Sequence, residues 1–152
     1  MSSFDHITRE ARLLTMKFNT RNPYDICDGL GVKIRLKNLG KDIKAYYFYQ
    51  SRIRNIVLNY NVSEHIRRIL VAHELGHDRL HQEIAMLKGF QEIEMFDMAI
   101  PTEYEANIFA AELLIDDNEL LEVQPAYHAW ARGCDRHKTL ADRAVRRNGR
   151  HD

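Results

Sequence analysis

A single α+β domain spanning residues 1–152 follows from three observations. Apolar residues recur at helical spacing at the start of the chain, three short strand-like runs lie between Val32 and Asn59, and helical patterns resume after Ser63. The first helix is marked by Phe4, Ile7, Ala11, Leu14 and Phe18. Asn22-Pro23 ends it and opens a short helix, PYDICDGLG, stopped by Gly29 and Gly31. Val32, Ile34 and Leu36 then alternate with Lys33 and Arg35, the period of a half-buried strand. The runs AYYFY (Ala45 to Tyr49) and NIVLN (Asn55 to Asn59) complete a small, mostly antiparallel three-stranded sheet.

Ser63 is placed to cap the next helix, which carries Ile66, Ile69, Leu70, His73, Leu75 and His77. Gly89 to Pro101 has no clean period and reads as a long connection. A second strong helix runs from about Glu103 to Ile115, rich in Ala and Leu, and Asp116-Asp117 suits either its end or the cap of another. Pro125 introduces a last helical region that ends in the basic tail RAVRRNGRHD.

Composition narrows the class of protein. At 45% hydrophobic and 29% charged residues the chain has an ordinary globular balance, and no apolar run approaches the ~18 residues that span a bilayer. Asp5 and Glu10 interrupt the apolar residues at the N-terminus, so no signal-peptide core is expected there. Cys27 and Cys134 form no C-x-x-C and suit free thiols in a reducing cytosol. Zero formal net charge hides blocks: Lys88 is the one basic residue against 11 acidic ones from His81 to Glu122, with basic excess on either side. Such blocks can steer partners, although solvated faces cluster in the same way.

The chemistry concentrates in VAHELGHDRLH, Val71 to His81, where His73-Glu74-Leu75-Gly76-His77 has the form H-E-x-x-H. Residues four apart on a helix share one face, so the two imidazoles can converge on one cation. Glu74 stands beside that cation, where it can take a proton from water and hand it to the leaving amine. Gly76 removes a side chain beside the site and allows close backbone packing. His81 is a poor third ligand, because on a continuing helix it lies about 12 Å further along the axis. It is expected behind the site or at the surface. A downstream carboxylate is the other usual third ligand, and Asp97, Glu103, Glu105, Glu112 and Asp116 are candidates. Glu105 leads, because Ala106, Ala110 and Ala111 after it would let its helix pack closely; Glu103 falls in the first turn, where the helix dipole is reason enough for an acid.

The pairing of HELGHDRLH with EYEANIFAAELL resembles the ImmA/IrrE family of metallo-endopeptidases, and NIVLNYNVS and NPYDICDGLGVKI are similar to that family's preceding segments. The resemblance covers roughly Asn22 to Glu122 and does not extend to the region from Pro125. The chain departs at Ile115-Asp116, where the family commonly has Met-Pro. The resemblance implies a zincin-like fold, His73 and His77 as metal ligands, Glu74 as base and Glu105 as third ligand. It also implies a protein substrate, a helix-turn-helix transcriptional repressor of a mobile element or stress response. Two imidazoles and a carboxylate suit Zn2+, with Mn2+ or Fe2+ as alternatives.

The leading expectation is thus a cytoplasmic metal-dependent endopeptidase that acts on a DNA-binding repressor and does not itself bind nucleic acid or membrane. A strand such as Asn55 to Asn59, if it lies at the sheet edge, would pair with the substrate backbone. The alternative is a metal-containing binding module that sequesters a regulator, although a purely structural zinc has no use for Glu74. A third reading, nucleic-acid binding through Arg143, Arg146, Arg147 and Arg150, lacks a broad basic footprint.

Overall fold

The computed structural model describes residues 4–84 and 101–115. The predicted connection as far as Ile100, with Asp97, and everything from Asp116 on, including Cys134 and the basic tail, lie outside the described residues. Helix α1 (Asp5–Phe18) buries Ile7, Ala11 and Leu14, three residues on one stripe, and stops at Asn19 in the left-handed conformation. In α2 (Pro23–Leu30) the Asn22 side chain accepts from the Tyr24 N–H at 3.0 Å and Pro23 occupies the first turn. Gly31, at φ 77°, ends it, with its own N–H on the Asp28 carbonyl and the Val32 N–H on that of Cys27. Gly29, expected as a stop, lies inside this helix.

Strands β1 (Lys33–Lys37), β2 (Ala45–Gln50) and β3 (Ile53–Asn59) form one sheet in the order β1-β3-β2. The sheet is mixed: β3 pairs with β2 antiparallel and with β1 parallel, placing Ile56 opposite both Tyr47 and Ile34. The NIVLN run is therefore the middle strand, with partners on both sides, and cannot take up a substrate strand as an edge would. The chain reaches this order because the segment after β1 passes the end of β3 before turning into β2. Buried Asn59 holds that passage, donating to the Gly40 and Ile43 carbonyls at 2.7 and 2.9 Å. The β2–β3 hairpin turns on Ser51 and Arg52, both at positive φ (52° and 64°), the twist a tight hairpin requires.

Helix α3 (Glu64–Leu80) follows Ser63, which holds the cap position by its extended backbone but makes no side-chain capping bond. The helix is the shared element of the fold, packing against β2, β3, α2 and α4 (Pro101–Leu114). Helix α4 is buried nearly all round, as its run of Ala, Ile, Phe and Leu demands, and packs against α1 as well as α3. The Arg21 guanidinium meets its last free carbonyls, those of Glu112, Leu113 and Ile115, at 3.1–3.2 Å. Among the described residues no helix is long and apolar enough to cross a membrane.

Candidate metal centre

Gly76 decides how closely α3 and α4 approach. A Cβ there would stand 3.1 Å from the Ala106 Cα and 3.2 Å from the Phe109 ring, so the two backbones nearly touch at this level. Glu103, Ala106, Asn107 and Ala110 lie at i, i+3, i+4 and i+7 and form one face of α4, all fully buried. That face brings Glu103 onto the two histidines of α3.

The Glu103 carboxylate spans both rings, with Oε2 2.9 Å from His73 Nε2 and Oε1 3.0 Å from His77 Nε2. The two Nε2 atoms are 3.2 Å apart. Ligands bound at ~2.0–2.1 Å to one tetrahedral ion stand about 3.3 Å from each other, close to the spacings here. His73, His77 and Glu103 form the one group of metal-ligating side chains found among the described residues, and it is fully buried. This group can hold a metal ion.

Glu105, the expected third ligand, does not join this group. Two residues on from Glu103, its side chain is rotated by roughly 200° around the helix and meets His81 Nε2 at 3.2 Å instead. The small residues Ala106 and Ala110 do mark the packed face, but they share it with Glu103. Stepping back by three, four and seven residues from Ala106, Asn107 and Ala110 would have found Glu103. The helix-dipole explanation for Glu103 fails because the side chain is entirely buried. Of the other carboxylates considered, Glu112 is not part of this group, while Asp97 and Asp116 lie outside the described residues.

The outer nitrogens of the histidines are also held. His73 Nδ1 lies 3.1 Å from Asn107 Oδ1, and His77 Nδ1 lies 3.0 Å from His81 Nδ1. His81 caps the C-terminus of α3, so the helix stops where the ring turns back behind His77, as expected for a residue behind the site. Asn107 was not singled out from the sequence; its place four residues after Glu103 is the signal that identifies it.

Glu74 is completely buried, and neither of its carboxylate oxygens reaches a hydrogen-bond donor among the described residues. Burial, opposed by His73 and reinforced by the Glu103 charge, carries its carboxyl up to about 8. Burial also opposes ionisation of Glu103, but the two imidazole contacts reverse this and bring its carboxyl down to about 2. Burial alone would lower His73, yet the Glu103 hydrogen bond and the Glu74 and Glu103 charges hold it above its ordinary value. For His77 burial prevails over the Glu103 contact and brings the imidazole down to about 4. The site therefore combines a firmly anionic carboxylate with two imidazoles, the residue types that hold a divalent cation.

Behind it, buried Asp78 accepts from the Tyr47 hydroxyl at 2.8 Å and from Arg54 at 3.1 Å, and Arg54 also donates to the Leu30 carbonyl. These bonds tie β2, β3 and the end of α2 to the turn of α3 that carries His77.

Residues 27–143 match the peptidase family described as the IrrE N-terminal-like domain. The chain belongs to this family. The match runs past Glu122, where the sequence resemblance was seen to end, and includes all of His73, Glu74, His77, Glu103 and Glu105. The chain is 36% identical over 104 residues to uncharacterized immunity region protein 2 of Bacillus phage phi105, covering 68% of this chain. It is 26% identical over 113 residues to metallopeptidase ImmA of Bacillus subtilis strain 168, covering 74% of this chain. Each match spans 65% of the relative's own length. Membership in the ImmA/IrrE family, expected from the paired motifs, is thus shown, and the zincin-like α+β fold agrees with the clustered His73, His77 and Glu103.

Proposed function

We propose that this protein is a cytoplasmic, metal-dependent endopeptidase that cleaves a DNA-binding repressor. The observation that carries the reading is the buried His73, His77 and Glu103 group with the orphaned Glu74 carboxylate beside it. His73 and His77 would bind the ion through Nε2 and Glu103 through its carboxylate, a set suited to Zn2+ and open to Mn2+ or Fe2+. The bound cation supplies Lewis acidity towards the scissile carbonyl and acidifies water. Glu74 serves as the base: buried and without a hydrogen-bond donor, it favours taking a proton from the attacking water and returns it to the departing amine. A sequestering module would have no use for an unpaired buried carboxylate next to three ligands. The extended substrate would pair with β2, which joins the sheet through β3 alone among the described residues and whose Tyr47 reaches the residue after His77.

The name of the phage relative places that protein in an immunity region, and the name of the second calls it a metallopeptidase. The second name supports peptidase activity, and the first supports a substrate tied to the immunity of a mobile element. Glu74→Gln is the test. The variant should bind Zn2+ as tightly as the parent while cleavage of a co-expressed cognate repressor falls by about 10²–10⁴-fold. Undiminished cleavage would remove Glu74 from the mechanism.

A further inference from the structure

His77 is oriented by a chain of two further side chains. Its Nδ1 lies 3.0 Å from His81 Nδ1, and His81 Nε2 lies 3.2 Å from Glu105 Oε2. His81 is buried, whereas about a third of the Glu105 side chain is exposed. A carboxylate oxygen accepts hydrogen bonds, so the contact at Glu105 Oε2 is made when His81 carries its proton on Nε2. A neutral His81 then offers a lone pair at Nδ1, and His77 must donate from its own Nδ1. The remaining lone pair of His77 is on Nε2, which faces Glu103 and His73. His73 has a direct counterpart in Asn107, whose side-chain oxygen accepts at Nδ1. Each ligand nitrogen is thus turned towards the site by an acceptor behind its ring.

We propose that Glu105 and His81 form a positioning relay that fixes the tautomer and orientation of His77 and thereby sets the affinity for the metal. The relay rests on the reading of His73, His77 and Glu103 as the metal site. It divides the work between Glu103 and Glu105: Glu103 would contact the ion directly, and Glu105 would act on it through two imidazoles. Carboxylates and carbonyls behind ligating histidines raise ligand basicity, and their loss typically costs 10- to 100-fold in metal affinity.

Zn2+ affinity of the full chain, measured by competition with a chromophoric chelator, tests the relay alongside thermal unfolding of each metal-free variant. Glu105→Ala and His81→Ala should each weaken Zn2+ binding about 10- to 100-fold. Their double variant should bind no worse than the weaker single, because both break one chain. Glu105→Gln keeps an acceptor without the charge and should stay within about threefold of the parent. The partial exposure of Glu105 lets its variants fold whatever His81→Ala does. Equal weakening by Gln and Ala would assign the effect to the field of the charge and overturn the relay. Additive losses, or parental affinity in every variant, would overturn it as well. Glu103→Ala separates the two levels. If the parent binds Zn2+, Glu103→Ala abolishes binding and the relay variants match the parent, only the relay falls. A parent that binds no Zn2+ overturns the metal reading and the relay with it.

Discussion

Cys27 sits at full burial on α2, within reach of the field of Asp78, whose carboxylate also meets Tyr47 and Arg54. Burial, reinforced by Asp78 and opposed by Arg54, pushes its thiol from 9.0 up to about 12. The folded protein therefore keeps this proton at pH values where the unfolded chain has released it. The group's contribution to stability is complete below pH 9.0 and is lost as the pH rises through the window towards 12, by ~1.4 kcal/mol per pH unit. Burial raises Tyr47 too, which adds to the loss above its ordinary 10.0. Urea midpoints measured between pH 9 and 10 should fall, and Cys27→Ala should flatten that slope; an equal slope in the variant would mean that the thiol titrates freely in the fold. At this scale the sequence was legible where chemistry and spacing coincide. His73, Glu74 and His77 identify themselves within five residues, and their burial follows from the apolar residues between and around them. Glu103 did not, since an acid in a first turn reads as a surface charge until the partner helix is known.

The element that most constrains the site is the contact of α3 with α4. Helix propensity favours Ala over Gly by about 1 kcal/mol, but at Gly76 the added methyl would press on the Ala106 backbone and the Phe109 ring. Backbone cannot yield as a flexible side chain does, and overpacking of this kind costs about 1–3 kcal/mol. Gly76→Ala should therefore destabilise the protein by roughly 1 kcal/mol net and weaken Zn2+ binding, as Glu103 is carried away from His73 and His77. An unchanged or higher melting temperature together with parental Zn2+ affinity would show that the helices separate without consequence. The helices themselves were readable from apolar period and from Asn22, Pro23 and Gly31. The sheet was readable as three strands but not in its order, for no residue type distinguishes a middle strand that pairs both ways from an edge. The hairpin turn was equally silent, because Ser51 and Arg52 take positive φ without the Asn-Gly or Asp-Gly that usually announces it.

Across the whole molecule, the core of Ile7, Ile26, Ile56, Leu58, Leu70, Leu75 and Phe109 is continuous around the site and does not depend on an ion to close it. The metal-free protein should accordingly remain folded, with Zn2+ binding added to an existing stability. At a free Zn2+ concentration 100 times its dissociation constant the gain is about 2.7 kcal/mol, seen as a rise in melting temperature that a chelator reverses. Glu103→Ala should abolish this rise, and a parent that unfolds outright on chelation would show the ion to be structural. The sequence by itself determined the class of fold, the helix that bears H-E-x-x-H, two of the three grouped side chains and the family. It could do so because helical period, capping residues and four-residue spacing are local, each written within one or two turns of chain. Only the tertiary structure decided that Glu103 and not Glu105 meets the histidines, that His81 and Glu105 stand behind His77, and that β3 lies in the middle of the sheet. Those outcomes depend on which face of α4 packs against Gly76 and on which side of β3 the chain turns back, and both are settled by contacts between segments far apart in sequence.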